Sequence, residues 1–261
     1  MGRALIGGLL RAGTPPAHLS VGESDAAARA AVLRDFAVAA TDDNRTAVER
    51  ASIVVLAVKP QDAAAVLQPL APVFAAAPPL LISVAAGVRI ASLESWCGPG
   101  VAVMRAMPNR PARIGAGATG LYAPAGIDDA RRAQAERVLQ GLGEVFWVQA
   151  EELLDVVTAL SGSGPAYFFL LAELMAEAGA QLGLESAVAQ RLAAATLYGS
   201  GLLVRSGEGD LARLRQEITS AGGTTEAALR VLEAADLRAT VRAALSAAAQ
   251  RGRELAALRT S

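Results

Sequence analysis

At 261 residues and 53% hydrophobic content, the chain is long enough for two cores of ordinary domain size. A formal net charge of −1 and a pI near 6.0 give no electrostatic reason to expect nucleic acid or an anionic membrane surface as partner. One cysteine, Cys97, excludes an internal disulfide and a multi-thiolate metal site, and one histidine, His18, excludes a metal site built on two or more histidines.

The chain opens on "MGRALIGGLLRAGTPP", where Leu5, Ile6, Leu9 and Leu10 share one helical face and Gly13 with Pro15 and Pro16 supplies a stop. No capping Ser, Thr, Asp or Asn precedes this helix, no strand leads into it, and no secretory segment is readable. His18 follows in a turn-rich stretch, where a surface loop position is the plain reading, so a Ser-His-Asp triad or a His-based dehydrogenase has little to rest on. From Leu19 to about Trp147, short apolar runs alternate with helical stretches, the pattern of βαβ units and a parallel sheet. "HLSVGES" is a short strand, followed by a helix from about Ala26 to Asp35; "FAVAAT" is a weak strand and "RTAVERA" a short helix. "SIVVLAVKP" is the clearest strand, a continuous β-branched run expected of a strand buried on both faces. A helix from about Gln61 to Phe74, strand "LLISVAAG", helix "RIASLESWC", strands "VAVMRAMPN" and "GATGLYAP", helix "IDDARRAQAERVLQGLG" and strand "EVFWVQ" complete this half.

After Glu151 the strand signal stops, and five stretches read as helices punctuated by Gly, Ser, Asp or Thr. The expected architecture is therefore an α/β domain with a mostly parallel sheet over residues 1–150, then an all-α domain over 151–261. Several of these helices are apolar around most of their circumference, more than a domain of roughly 110 residues buries alone, so a partner chain is expected to cover them. The longest apolar runs, such as "AYFFLLA", fall far short of the roughly 20 residues that span a bilayer, so a soluble, cytoplasmic protein is expected.

Ligands of open parallel sheets bind beyond the carboxyl ends of the strands. Two such ends carry small residues: "AVKP", from Ala57 to Pro60, and "VAAG", from Val84 to Gly87. They are either ordinary tight turns or places where a flat ring or ribose approaches the backbone. Lys59 either snorkels to water or faces a bound anion or cofactor. "SGSGPAY", from Ser161 to Tyr167, is either a hinge or a close-contact surface for a ligand, with Pro165 suited to a first helical turn. "EITSAGGTTEAAL" is the most informative segment: a helix ends near Thr219, two glycines free the backbone, and Thr224, Thr225 and Glu226 begin a new helix. Amides at that start suit a carboxylate or phosphate; a threonine-capped turn is the plain alternative.

Taken together, "LAVKP", "SVAAG", "RAMPN", "ALSGSGPAY" and "EITSAGGTTEAAL" resemble, in this order over the whole chain, signatures of the pyrroline-5-carboxylate reductase family, which performs the last step of proline synthesis. The last two are highly specific. The resemblance implies an N-terminal Rossmann-like domain and a C-terminal helical domain that interlocks with a second subunit, in larger forms up to a decamer. It implies hydride transfer from NADPH or NADH to the C=N carbon of 1-pyrroline-5-carboxylate, a small imine carboxylate. Ala57, Val58, Lys59 and Pro60, with Ala85, Ala86 and Gly87, would line the nicotinamide side, and Asn44 would contact the adenosine ribose. Ser220, Gly222, Gly223, Thr224 and Thr225 would hold the substrate, with backbone amides on its carboxylate. The Thr225 hydroxyl would orient the ring nitrogen and share in donating its proton; an imine is basic and can arrive already protonated, so no strong general acid is needed, and no metal is expected.

Two features bear on that reading. "SVGES" places Glu23 near the end of its strand, where an acidic residue favours a free ribose 2′-hydroxyl and repels a 2′-phosphate. The family's first strand runs into a loop Gly-x-Gly-Asn-Met-Gly, and "MGRAL" begins on that Met; Gly2 takes the third glycine's place, and the two that cradle the pyrophosphate are absent. A central strand would then be missing, leaving its neighbours about 9.5 Å apart and unable to pair. The expectation is that about a dozen upstream residues encode that strand and loop. Two rivals are a β-hydroxyacid-dehydrogenase-like enzyme, which needs a lysine in a C-terminal-domain helix while none occurs after Lys59, and a non-catalytic homologue that has lost the glycine loop.

Overall fold

The computed structural model describes residues 1–207 and 210–258; the last three residues of the expected second domain, and two within it, lie outside that set. The chain divides into two compact units, one formed by Met1–Ser163 with the C-terminal stretch from Ala248, the other by Gly164–Ala247.

The first unit follows the α/β grammar of its sequence. Helix α1 (Gly2–Arg11) precedes β1 (Ser20–Gly22), α2 (Ala26–Phe36), β2 (Ala39–Thr41) and α3 (Asn44–Val48). Then come β3 (Ile53–Leu56), α4 (Ala63–Leu67), α5 (Ala71–Ala76), β4 (Leu80–Ser83), α6 (Ile90–Cys97), β5 (Ala102–Met107), β6 (Gly117–Tyr122), α7 (Asp129–Gln140), β7 (Gly143–Trp147) and α8 (Leu153–Val157). Among the described residues the strands form two sheets: β1 pairs parallel with β2, and a second sheet runs β3-β4-β5-β6-β7, parallel except where β5 meets β6. β1 and β3 share no ladder.

Burial follows the alternation of the strands. Leu80, Ile82, Ala102 and Met104 face Leu5 of α1 and Ala135 and Leu139 of α7, while Leu81 and Val103 face Leu67, Phe74 and Leu93 of α4, α5 and α6. All four β4 residues are buried, as a central strand covered on both faces requires. Ile6 and Val32 close a third cluster beneath β1 and β2. α1 and α7 meet backbone to backbone, since a Cβ at Gly8 would run into Gly141. The single helix expected from Gln61 to Phe74 is instead two, α4 and α5, joined through a 3₁₀ turn at Gln68–Leu70. Pro69 and Pro72 are the cause: each lacks the N–H that would continue the helical ladder, although Gln68 and Ala71 before them keep right-handed helical angles.

The second unit is helical: α9 (Gly164–Gln181), α10 (Ser186–Arg205), α11 (Leu211–Glu217), α12 (Thr224–Ala234) and the first part of α13 (Leu237–Ala257). α9 and α10 are joined by a short turn with Gly183 at φ 107°, and meet along a seam of alanines, Ala172, Ala176 and Ala180 against Ala189 and Ala193. That seam brings two backbones close, with Phe169 beside it lining a groove shared with Leu197 and Tyr198 of α10. Phe168, Phe169, Leu170, Leu171, Leu174 and Met175 are all exposed. The helical path Leu153–Gln181 is, by length and mean hydropathy alone, enough to cross a membrane. Counting only uninterrupted apolar runs, as the sequence reading does, hides this because Asp155, Ser161 and Ser163 interrupt it.

Candidate functional site

In the first unit, two loops leave the carboxyl ends of adjacent parallel strands. Ala57 and Val58 lead from β3 to Lys59, which is exposed and opens a 3₁₀ turn with Pro60 at its first position. Ala85, Ala86 and Gly87 leave β4; Ala85 is buried and donates its N–H to Ser83 Oγ at 3.3 Å, and Gly87 takes φ 75°, which a side chain would strain. Gly2 lies beside the first loop, where an added Cβ would stand 3.7 Å from Ala57 Cβ. Asn44 is the first residue of α3, and its Oδ1 lies against Gly22 so closely that any side chain at 22 would displace it. The structure thus brings Gly2 to the β3 loop and sets Asn44 at the end of β1. Small residues at two neighbouring strand ends and a side-chain amide at a third are a donor set that fits a dinucleotide.

Behind the β4 and β5 ends lies a buried charge network absent from the sequence reading. Arg105, only 4% exposed, points from β5 to Glu151, with Nη1 2.6 Å from Oε1. The same oxygen accepts the Ile90 N–H at 2.8 Å, so Glu151 also caps α6. Arg89 donates to Asp155, 3% exposed, at 2.6 Å. Burial pulls the Arg105 guanidinium below its ordinary range, and the Glu151 carboxylate works against that shift. The signal was partial: Arg105 inside "VAVMRAMPN" and Asp155 inside "LLDVVTAL" are lone charges in apolar runs and each needs an opposite partner, but their partners in the structure are Glu151 and Arg89 and not each other. Asp155→Ala is expected to destabilise the chain by about 3–5 kcal/mol in urea or thermal melts, because it strands Arg89; wild-type stability would mean that the pair is solvated in solution.

A second tie joins two of the sequence motifs. Asn109, at the end of "RAMPN", donates to the carbonyl and hydroxyl oxygens of Ser161 at 3.3 and 3.1 Å and accepts the Ala118 N–H at 3.0 Å. Ser161 sits in a π turn, Thr158–Gly162, which separates α8 from α9 where a simple helix break was one expectation. Cys97 is buried in the α6 core, which pushes its thiol up to about 11 and leaves it no role as a nucleophile. His18 ends an exposed 3₁₀ turn, as a loop residue does.

In the second unit, the turn between α11 and α12 carries Ser220, Gly222, Gly223, Thr224 and Thr225. Gly222 takes φ 71°, and its N–H goes to Glu226 Oε2 at 2.8 Å, while the Gly223 N–H goes to Ser220 O at 3.0 Å. The residue at the helix cap is Gly223, with no side-chain cap, so the threonine-capped turn is corrected: Thr224 and Thr225 are the first two helical residues. The first intrahelical bond is Ala227 N–H to Gly223 O. Among the described residues the amides of Thr224, Thr225 and Glu226 therefore have no hydrogen-bond partner, and an anion is the group they suit. The turn is tight at Gly223, where a Cβ would meet the Ser220 hydroxyl and stand 3.0 Å from the Ser220 carbonyl oxygen.

Fold and loops define the class: a Rossmann-type, dinucleotide-dependent oxidoreductase with a helical second unit. The comparisons narrow it. A family model for pyrroline-5-carboxylate reductase dimerisation matches residues 151–255, and one for NADP oxidoreductase coenzyme F420-dependent matches residues 1–87. The pyrroline-5-carboxylate reductase of Pseudomonas aeruginosa is 44% identical over 98% of this chain and 93% of its own length. The structure of a pyrroline-5-carboxylate reductase from Coxiella burnetii superposes with a TM-score of 0.94 at 38% identity, over 97% of this chain and 94% of that one. A Plasmodium falciparum pyrroline carboxylate reductase with NADP bound gives a TM-score of 0.81 at 28% identity, over 98% of this chain and 94% of that one. The chain belongs to the pyrroline-5-carboxylate reductase family.

Proposed function

We propose that the protein reduces 1-pyrroline-5-carboxylate to L-proline with NADPH or NADH, in the last step of proline biosynthesis. The observation that carries this reading is the likeness to named reductases over nearly the whole chain. The bound reduced nicotinamide supplies the hydride. Gly2, the loop from Ala57 to Pro60 and the loop from Ala85 to Gly87 bind the cofactor, with Asn44 at its adenosine ribose. In the second unit, the amides that begin α12 anchor the substrate carboxylate, and Ser220, Gly222 and Gly223 shape the turn that presents them. Thr225 turns its hydroxyl to the ring nitrogen, which fixes the orientation of a cation that needs no further protonation. The absence of any lysine after Lys59 weighs against a β-hydroxyacid-dehydrogenase-like mechanism.

The exposed apolar faces of the second unit and the dimerisation family model support self-association. An interlocked homodimer, and its growth to a decamer, belong to the same reading, as does a cytoplasmic location. The test is the loss of reduced-nicotinamide absorbance when the purified chain meets the cyclic imine, with proline identified as product. A chain that binds the imine and the cofactor without turnover would replace the enzyme reading with that of a non-catalytic homologue.

A further inference from the structure

The end of β1 holds an arrangement that chooses between the two cofactors. Glu23, the residue after the strand, continues the ladder by donating its N–H to Thr41 O at 2.9 Å. Its side chain is held in place, since Oε1 accepts the Asp25 N–H at 3.0 Å. Gly22 beside it packs against Asn44, so Glu23 and Asn44 flank one strand end. In a doubly wound sheet this is the position that meets the adenosine ribose. A carboxylate there accepts hydrogen bonds from free hydroxyls, whereas a 2′-phosphate needs a cation.

The cation nearest to that role is Arg29 of α2, and it is already committed. Its Nη1 donates to the Glu23 and Ser24 carbonyls, both at 2.8 Å, and its Nη2 lies 3.3 Å from Asp42 Oδ2. The guanidinium therefore holds the loop in shape from beneath with its charge already balanced. Asp25 adds a second carboxylate to the loop, capping α2 through the Ala28 N–H at 2.6 Å. Arg45, next to Asn44, lines a different cleft with Val73, Ala76 and Ala77 of the α5 end. Arg3 and Arg34 both pair with Asp35. What this rim offers a 2′-phosphate is two fixed carboxylates and a guanidinium that is paired with Asp42 and has its Nη1 donors on the loop carbonyls; a phosphate monoester brings about −1.5 to −2 further charges.

We propose that this chain selects NADH over NADPH and that Glu23 is the discriminating residue. The proposal rests on the reductase reading and goes further by naming its cofactor. Acceptance of the ribose hydroxyls by the second Glu23 oxygen favours the unphosphorylated nucleotide, and like-charge repulsion disfavours the other.

Isothermal titration of the full chain with NAD⁺ and NADP⁺, and with 5′-AMP and adenosine 2′,5′-bisphosphate as probes of the ribose alone, tests this directly. NAD⁺ is expected to bind at least about tenfold tighter than NADP⁺. Glu23→Gln keeps an acceptor for the Asp25 N–H while removing the charge, and it should bring the two affinities within about threefold; Glu23→Ser should reverse the order. Equal or tighter NADP⁺ binding by the wild-type chain, or a preference unchanged in both variants, overturns the selection and leaves the reductase reading standing. Binding of none of the four nucleotides overturns both.

Discussion

Thr225→Val is expected to lower kcat/KM for the imine by about a hundredfold or more while leaving dinucleotide affinity unchanged. Thr225 is the second residue of α12 and half-buried, and among the described residues its hydroxyl has no hydrogen-bond partner. Valine has nearly the same shape and a similar helix propensity, so the substitution deletes one hydroxyl and little else. The amides of Thr224, Thr225 and Glu226 remain, so carboxylate anchoring persists and the loss falls on the orientation of the ring nitrogen. Steady-state kinetics with a binding isotherm separate the two effects. Thr225→Ser, which restores the hydroxyl, should recover most of the rate. Unchanged kcat/KM in the valine variant would remove Thr225 from the mechanism.

Phe168→Glu combined with Leu171→Glu should raise the dissociation constant of the self-assembled form about a thousandfold or more, giving monomer at micromolar protein by light scattering. These residues lie one helical turn apart on α9 and stand 59% and 51% exposed in the isolated chain. Among the described residues the cluster that α9 forms with α10 is built of alanines, and it leaves Phe168 and Leu171 largely uncovered. Truncating a buried aromatic anchor costs 2 kcal/mol or more, and placing a charge there costs more still. The mass of the wild-type assembly retained by the variant would show that this face is not the interface. Wild-type protein that partitions into membranes, with partition lost in the variant, would assign it to lipid instead.

Much of this molecule is legible from local pattern. The β-branched run before Lys59 reads as a buried strand, and the loss of strand signal after Glu151 marks the switch to helices, because side-chain period and burial are local properties. The proline breaks at 69 and 72 were also written there, yet the helical spacing of the surrounding apolar residues outweighed them. In the turn before α12, the residue types suit an anion, but the cap is Gly223 and no threonine, since Glu226 rather than a threonine side chain holds the Gly222 amide.

What the sequence determined by itself was the order and kind of the elements, the small residues at the strand ends and the excess of apolar surface in the second half. Only the tertiary structure paired Arg105 with Glu151 and Arg89 with Asp155, across 46 and 66 positions of chain, and only it engaged Arg29 beneath the Glu23 loop. The reason is physical. Propensity and periodicity act over a few residues, whereas the partner of a buried charge is set by which strands and helices lie side by side, and that depends on the packing of the whole sheet.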